Sequence, residues 1–92
     1  MGEGLRKLAE HDSASRTSYL ATLAAYLDNN MSPTATSRAL DVHRSTLVER
    51  LERVFALLGS DLSNPDERLL AQIVLRSMRY RGDISGADET AG

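Results

Sequence analysis

Residues 35–54 read "ATSRALDVHRSTLVERLERV", and the fold turns on how this stretch breaks. Ala35, Ser37, Ala39 and Leu40 suit one short helix, and Asp41-Val42 interrupts it. Asp occupies the left-handed backbone at modest cost, so a tight turn is available here without glycine. A second helix, residues 43–58, follows. Leu47, Leu51, Val54, Phe55 and Leu58 share one face of it, and at about 100° per residue Ser45, Thr46, Glu49, Glu52 and Arg53 point away. Gly59 supplies the left-handed stop that ends many helices. One side of this helix packs and the other is left to meet something. The stretch therefore predicts two helices joined by a tight turn, a geometry that either presents the second helix to a DNA groove or merely folds a helical hairpin.

Working outward, Ser32-Pro33 reads as an N-cap followed by proline at the first helical position, where the missing N–H costs nothing. The short helix then runs from residue 33 to about residue 40. Upstream, Leu20, Leu23, Ala24 and Leu27 fall at i, i+3, i+4 and i+7 and predict a supporting helix with one apolar stripe, ended by Asn29-Asn30. Before it, Leu5, Leu8 and Ala9 predict a short helix from about residue 4 to residue 10. The polar "HDSAS" should end that helix, leaving Ser13, Ser15 or Thr17 to cap the next. Downstream, Asn64, Pro65 and Glu67 form the sequence pattern of a capping box, and a last helix should reach about residue 80. Its apolar run, Leu69, Leu70, Ala71, Ile73, Val74, Leu75 and Met78, is wider than one stripe, so it is either wedged between helices or partly exposed for a partner. No stretch alternates as a strand does, and the expected fold is all-α, a small bundle of about five helices containing a helix-turn-helix.

Ninety-two residues support one domain. Its expected span is residues 1–81, and the Gly/Asp-rich residues 82–92 have too few apolar groups to order and read as a disordered acidic tail. The chain has no cysteine and only two histidines, His11 and His43. That excludes a disulfide framework and a thiolate metal site and fits a reducing cytoplasm. The longest apolar cluster, residues 69–75, is far short of the roughly 20 residues that span a bilayer, and the start does not resemble a secretory signal. No nucleophile elbow, glycine-rich phosphate loop or metal-ligand spacing frames the Ser, His and Asp residues, so no enzyme and no cofactor are expected. The net charge of −2 is unusual for a nucleic-acid partner. Distribution matters more than the sum: the tail carries Asp83, Asp88 and Glu89 and no base, leaving the body with 11 bases against 10 acids. Any DNA affinity must come from a local patch.

Several ordered features resemble the C-terminal helix-turn-helix domain of PucR-type bacterial transcriptional regulators. They are "YLATLAAYLDNN", then Ala39-Leu40, His43-Arg44, Thr46-Leu47 and Arg50-Leu51, then Leu58-Gly59, Asp61-Leu62 and Pro65 to Leu69. Arg44, Thr46, Leu47 and Leu51 also resemble the Fis-type unit. The resemblance runs from about residue 5 to residue 79 and implies a bacterial, sequence-specific DNA-binding domain. The family commonly has Asn where Ser45 stands and a basic-Tyr pair where Val48-Glu49 stands, so this chain lacks a cation and gains an anion near the exposed face. In the family this domain normally follows a large effector-sensing region, so the resemblance implies either the DNA-binding part of a larger regulator or a stand-alone version of it.

Under that reading the helix from His43 enters the major groove and the helix from Pro33 crosses the backbone. Arg44, in the first turn, suits a guanine edge or a phosphate, or else stays solvated. Ser45 and Thr46 carry hydroxyls for base edges or phosphates, with simple capping as the alternative. His43 is a helix cap or a phosphate contact. Glu49 either accepts from a cytosine amino group or pairs with Arg53 at i,i+4. Arg50 and Arg53 on α-helical flanks and Arg38 on the preceding helix suit backbone contacts, as do Arg76, Arg79 and Arg81 if the last helix ends beside the duplex. Tyr19, Tyr26, Phe55 and Met78 read as packing residues. The partner is double-stranded DNA, with a homodimer as the usual remedy for a weakly basic module. The competing reading, favoured by the near-neutral body and Val48-Glu49, is a helical protein-interaction module that has lost DNA binding.

Overall fold

A computed structural model describes residues 2–82; of the expected tail, residues 82–92, all but Gly82 lies outside the described residues. Five helices follow one another: α1 (Gly2–Ser15), α2 (Tyr19–Asp28), α3 (Pro33–Leu40), α4 (Arg44–Leu58) and α5 (Pro65–Tyr80). No strand occurs among the described residues. The all-α expectation holds, with the helix-turn-helix formed by α3 and α4.

The supporting helix α2 is the centre of the bundle. It packs against α1, α3, α4 and α5, and every residue from Tyr19 to Leu27 except half-buried Tyr26 is buried. An alanine-rich helix allows this, because small residues let four neighbours approach closely. Leu5 and Leu8 of α1, Leu20, Leu23 and Leu27 of α2, Val54 and Leu58 of α4, and Ala71 and Leu75 of α5 form one cluster. Tyr26 meets Phe55 edge to face, 5.9 Å between centroids, and Met78 packs half-buried against the same cluster. All three are packing residues, as the sequence predicts.

The first helix departs from expectation. It continues through "HDSAS" to Ser15 instead of stopping near residue 10. Its extra turn is held from outside the segment: Asp12 accepts hydrogen bonds from the amides of Tyr19 (2.8 Å) and Leu20 (3.0 Å). Those are unsatisfied amides of the first turn of α2, so Asp12 caps a helix it does not belong to. Ser18 occupies the N-cap position without a side-chain cap bond. Thr17 instead donates to Asp12 Oδ1 and lies 3.0 Å from His11 Nδ1, and His11 stacks on Tyr19 at 4.6 Å. Polarity marked this segment as a loop, whereas a tertiary anchor makes it a helix end.

The other boundaries follow the local chemistry. Ser32 accepts from the Ala35 amide at 3.1 Å, Asn30 has φ 57° after the end of α2, and Gly59 has φ 77° after α4. Asn64 accepts from the amides of Asp66 and Glu67. The reciprocal half of the capping box is replaced, since the Glu67 carboxylate accepts from Ser60 Oγ at 3.3 Å. Arg68 donates to the carbonyls of Leu62 and Ser63, holding the loop that carries fully buried Leu62 into the core. The wide apolar run of α5 is partly wedged and partly exposed: Ala71 and Leu75 are buried, while Leu69, Leu70 and Ile73 face solvent.

Candidate nucleic-acid interface

The turn between α3 and α4 sets the geometry of the exposed surface. Asp41 takes the left-handed conformation (φ 56°, ψ 49°). Its amide donates to the Arg38 carbonyl, and the Val42 amide donates to the Ser37 carbonyl at 3.0 Å. This closes α3 without glycine and starts α4 at once, with His43 extended at its N-cap. Ser37 and Thr36 are buried, so α3 packs against α2 and α4. Leu47, Leu51 and Val54 fix α4 from beneath.

The first turn of α4 is consequently anchored beneath by Leu47 and open in side chain. Arg44, Ser45 and Thr46 are all exposed, and among the described residues no side-chain hydrogen bond or ion pair engages them. His43 stands at the cap position but makes no side-chain cap bond, so its ring is exposed and the capping role reduces to backbone geometry. Glu49 lies 3.6 Å from Arg53, an i,i+4 pair with both side chains largely in water. Such exposed pairs contribute little to stability and exchange partners readily. Arg38 is exposed on α3.

Arg50 is half-buried and faces a cleft of about 380 Å³ between α4 and the corner joining α1 to α2. Thr46, Glu49, Arg50 and Arg53, at i, i+3, i+4 and i+7, form one wall; Arg16 and Ser18 stand on the other. Sequence spacing brings out the first wall but not the second, because Arg16 and Ser18 precede α4 by many residues and sit in a polar segment. The C-terminal basic group is arranged differently. Arg79 lies 2.8 Å and Arg76 3.9 Å from Asp28, so both are turned toward the end of α2, and their expected place beside a duplex gains no support. Asp61, in the loop after α4, has a carboxyl held below the ordinary aspartate value, chiefly because the Ser63 amide donates to it.

A tight turn through left-handed Asp41, a helix fixed from below and an uncommitted polar first turn together define a helix-turn-helix domain. The chain belongs to the PucR C-terminal helix-turn-helix domain family, whose model matches residues 19–77, and this membership supports a DNA-binding, regulatory role. A carbohydrate diacid regulator of Escherichia coli (strain K12) is 51% identical over 55 residues, 60% of this chain and 14% of that protein. A purine catabolism regulatory protein of Bacillus subtilis (strain 168) is 36% identical over 75 residues, 82% of this chain and 14% of that protein. An uncharacterized protein of Thermomonospora curvata is 40% identical over 65 residues, 71% of this chain and 36% of that protein. The chain thus spans only a small part of the regulators it matches. No solved structure matches it. Among the described residues no helix is long and apolar enough to cross a membrane.

Proposed function

We propose that the chain is the sequence-specific DNA-binding domain of a bacterial, cytoplasmic transcription regulator, reading the major groove with the first turn of α4. The observation that carries this reading is that Arg44, Ser45 and Thr46 are exposed and unengaged on a helix start held rigidly by Leu47 and the Asp41 turn. Arg44 is the base-reading or phosphate-binding cation, Ser45 and Thr46 supply hydroxyls, and His43, Arg38, Arg50 and Arg53 face the sugar-phosphate backbone. Glu49 either accepts from a cytosine amino group or stays with Arg53. The chain acts without a cofactor, as the DNA-binding part, residues 1–81, of a larger regulator whose effector-sensing region lies outside these residues. It is not an enzyme; the relatives that carry a functional name are regulators.

Selection of binding sites from fragments of the source genome tests this, with the native chain run beside an Arg44→Ala/Thr46→Ala variant of matched helicity. A shared motif enriched by the native chain alone supports base reading by this turn. Enrichment of nothing by either protein, down to low salt, rejects it.

A second reading is favoured by one observation, the exposed stripe of Leu69, Leu70 and Ile73 on α5. It is association of two copies through α5. On DNA this complements the first reading, because a twofold pair places two recognition helices on half-sites about 34–36 Å apart. Without DNA binding it becomes the interaction-module alternative.

A further inference from the structure

We infer that the corner between α1 and α2 is a second backbone-binding site, in which Arg16 and Arg50 grip one phosphodiester of the duplex that α4 reads. The inference rests on the proposed DNA-binding function and deepens it by adding residues outside the helix-turn-helix.

The cleft of about 380 Å³ is walled by three guanidinium groups, Arg16, Arg50 and Arg53, and one carboxylate, Glu49. Glu49 is already paired with Arg53 at 3.6 Å. Arg16 and Arg50 are therefore left facing a shared space without an anionic partner among the described residues. In a chain of net charge −2 this concentration of cations is local, and local charge, not the sum, governs attraction of a phosphate. Guanidinium groups bind phosphate oxygens through two parallel N–H bonds, so two of them converging on one cleft suit a tetrahedral anion.

Hydroxyl donors complete the lining. Ser18 and Thr46 line the cleft, and neither side-chain hydroxyl makes a hydrogen bond among the described residues. The amides of Tyr19 and Leu20 at the start of α2 are not available, because Asp12 already takes them. The anion is thus held by side chains, not by the helix terminus. Arg16 also adopts φ 55°, a conformation strained for a residue with a side chain. Met31 and Leu62 have the same sign of φ but bury their side chains against the bundle, whereas Arg16 is exposed and offsets its strain with no packing.

The position relative to α4 makes the occupant a DNA backbone. Thr46 belongs both to the first turn of α4 and to the cleft wall. From Thr46 to Arg53 the helix rises about 10 Å at 1.5 Å per residue. A duplex seated on Arg44 and Ser45 thus runs its flanking backbone along the stripe that ends in the cleft. A phosphate contact of this kind positions the protein and carries no sequence information.

The test is fluorescence anisotropy of the full chain with its selected duplex and with a scrambled duplex, across a potassium chloride series. Native protein is compared with Arg16→Ala, Arg16→Lys and Arg16→Gly. Arg16→Ala is expected to weaken binding to both duplexes by the same factor, about three- to tenfold at low salt, and to reduce the slope of log K against log salt by about 0.9. Arg16→Lys should restore most of the slope. Arg16→Gly relieves the positive φ, so it should weaken binding as Ala does while folding at least as stably as the native chain, which separates contact from unfolding. An unchanged slope for all three variants, with native binding intact, overturns the inference, and so does a loss confined to the selected duplex. If the native chain binds neither duplex at any salt, the DNA-binding reading itself fails and takes this site with it.

Discussion

Asp12 belongs to α1 by its backbone and to α2 by its side chain, and that double membership gives the sharpest expectation at the scale of single residues. Its carboxylate satisfies two amides of the first turn of α2. Asp12→Ala should therefore cost about 1–2 kcal/mol, the upper range for loss of an N-cap, read as a lower urea midpoint. Asp12→Asn should recover part of it, and an Ala variant as stable as native contradicts the cap. Asp41 offers a contrast. Its φ of 56° is tolerable for Asp but strained for a β-branched residue, so Asp41→Val should destabilise by about 1–2 kcal/mol while Asp41→Gly stays near native. Equal midpoints for the Val and Gly variants would remove the conformational explanation. The Asp61 carboxyl, held low by the Ser63 amide, has a depressed folded pKa. Its stabilising contribution is full above the ordinary aspartate value and is lost as the pH falls through the folded one. Titration of its carboxyl carbon by NMR should give a midpoint below that of Asp in an unfolded peptide.

Among the helices, legibility followed the range of the forces that end them. Ser32-Pro33, Asn64-Pro65 and Gly59 act within three residues of a boundary, and α3, α4 and α5 begin or end where those residues place them. The last turn of α1 depends on a carboxylate reaching seven and eight residues ahead, which no local pattern records. The loop before α5 hides more: Leu62 stands among polar residues, takes φ 61° and is fully buried. Burying a leucine is worth about 1.5–3 kcal/mol, enough to hold a left-handed backbone that costs about 1–2. The candidate interface divides in the same way. Its α4 wall is readable from helical spacing, whereas Arg16 and Ser18 join it only through the tertiary fold. For α5, the run from Leu69 to Met78 was ambiguous because a width of apolar residues does not say which neighbours exist. The structure buries Ala71 and Leu75 and leaves Leu69, Leu70 and Ile73 outside. If two copies associate there, Leu69→Glu/Ile73→Glu should abolish self-association in sedimentation equilibrium with the melting temperature of the monomer little changed. A native chain that stays monomeric at hundreds of micromolar sinks that interface.

For the molecule as a whole, the family match and the folding unit do not coincide. The match begins at residue 19, just after α1, yet α1 is not an appendage. Leu5 and Leu8 are buried in the common core, Asp12 caps α2, and Gly4 lies so close to α4 that an added Cβ would collide with the Leu58 carbonyl oxygen. Two buried leucines at about 1.5–3 kcal/mol each and a cap worth about 1–2 come to roughly 4–8 kcal/mol. A chain of this length has a total stability of about 5–14 kcal/mol, at 0.05–0.15 per residue. Removing α1 should therefore take away a large share of what keeps α3 and α4 at a fixed angle, even though every residue of the helix-turn-helix is retained. The expected outcome for a chain beginning at residue 18 is a broad, weakly cooperative thermal transition by circular dichroism, against a sharp one for the full chain. Under the proposed DNA-binding function, affinity should fall further than loss of Arg16 alone explains, since α4 is then presented by only part of the population. A truncated chain that melts cooperatively at the native temperature would show the helix-turn-helix to be self-sufficient and would reduce α1 to a carrier of Arg16.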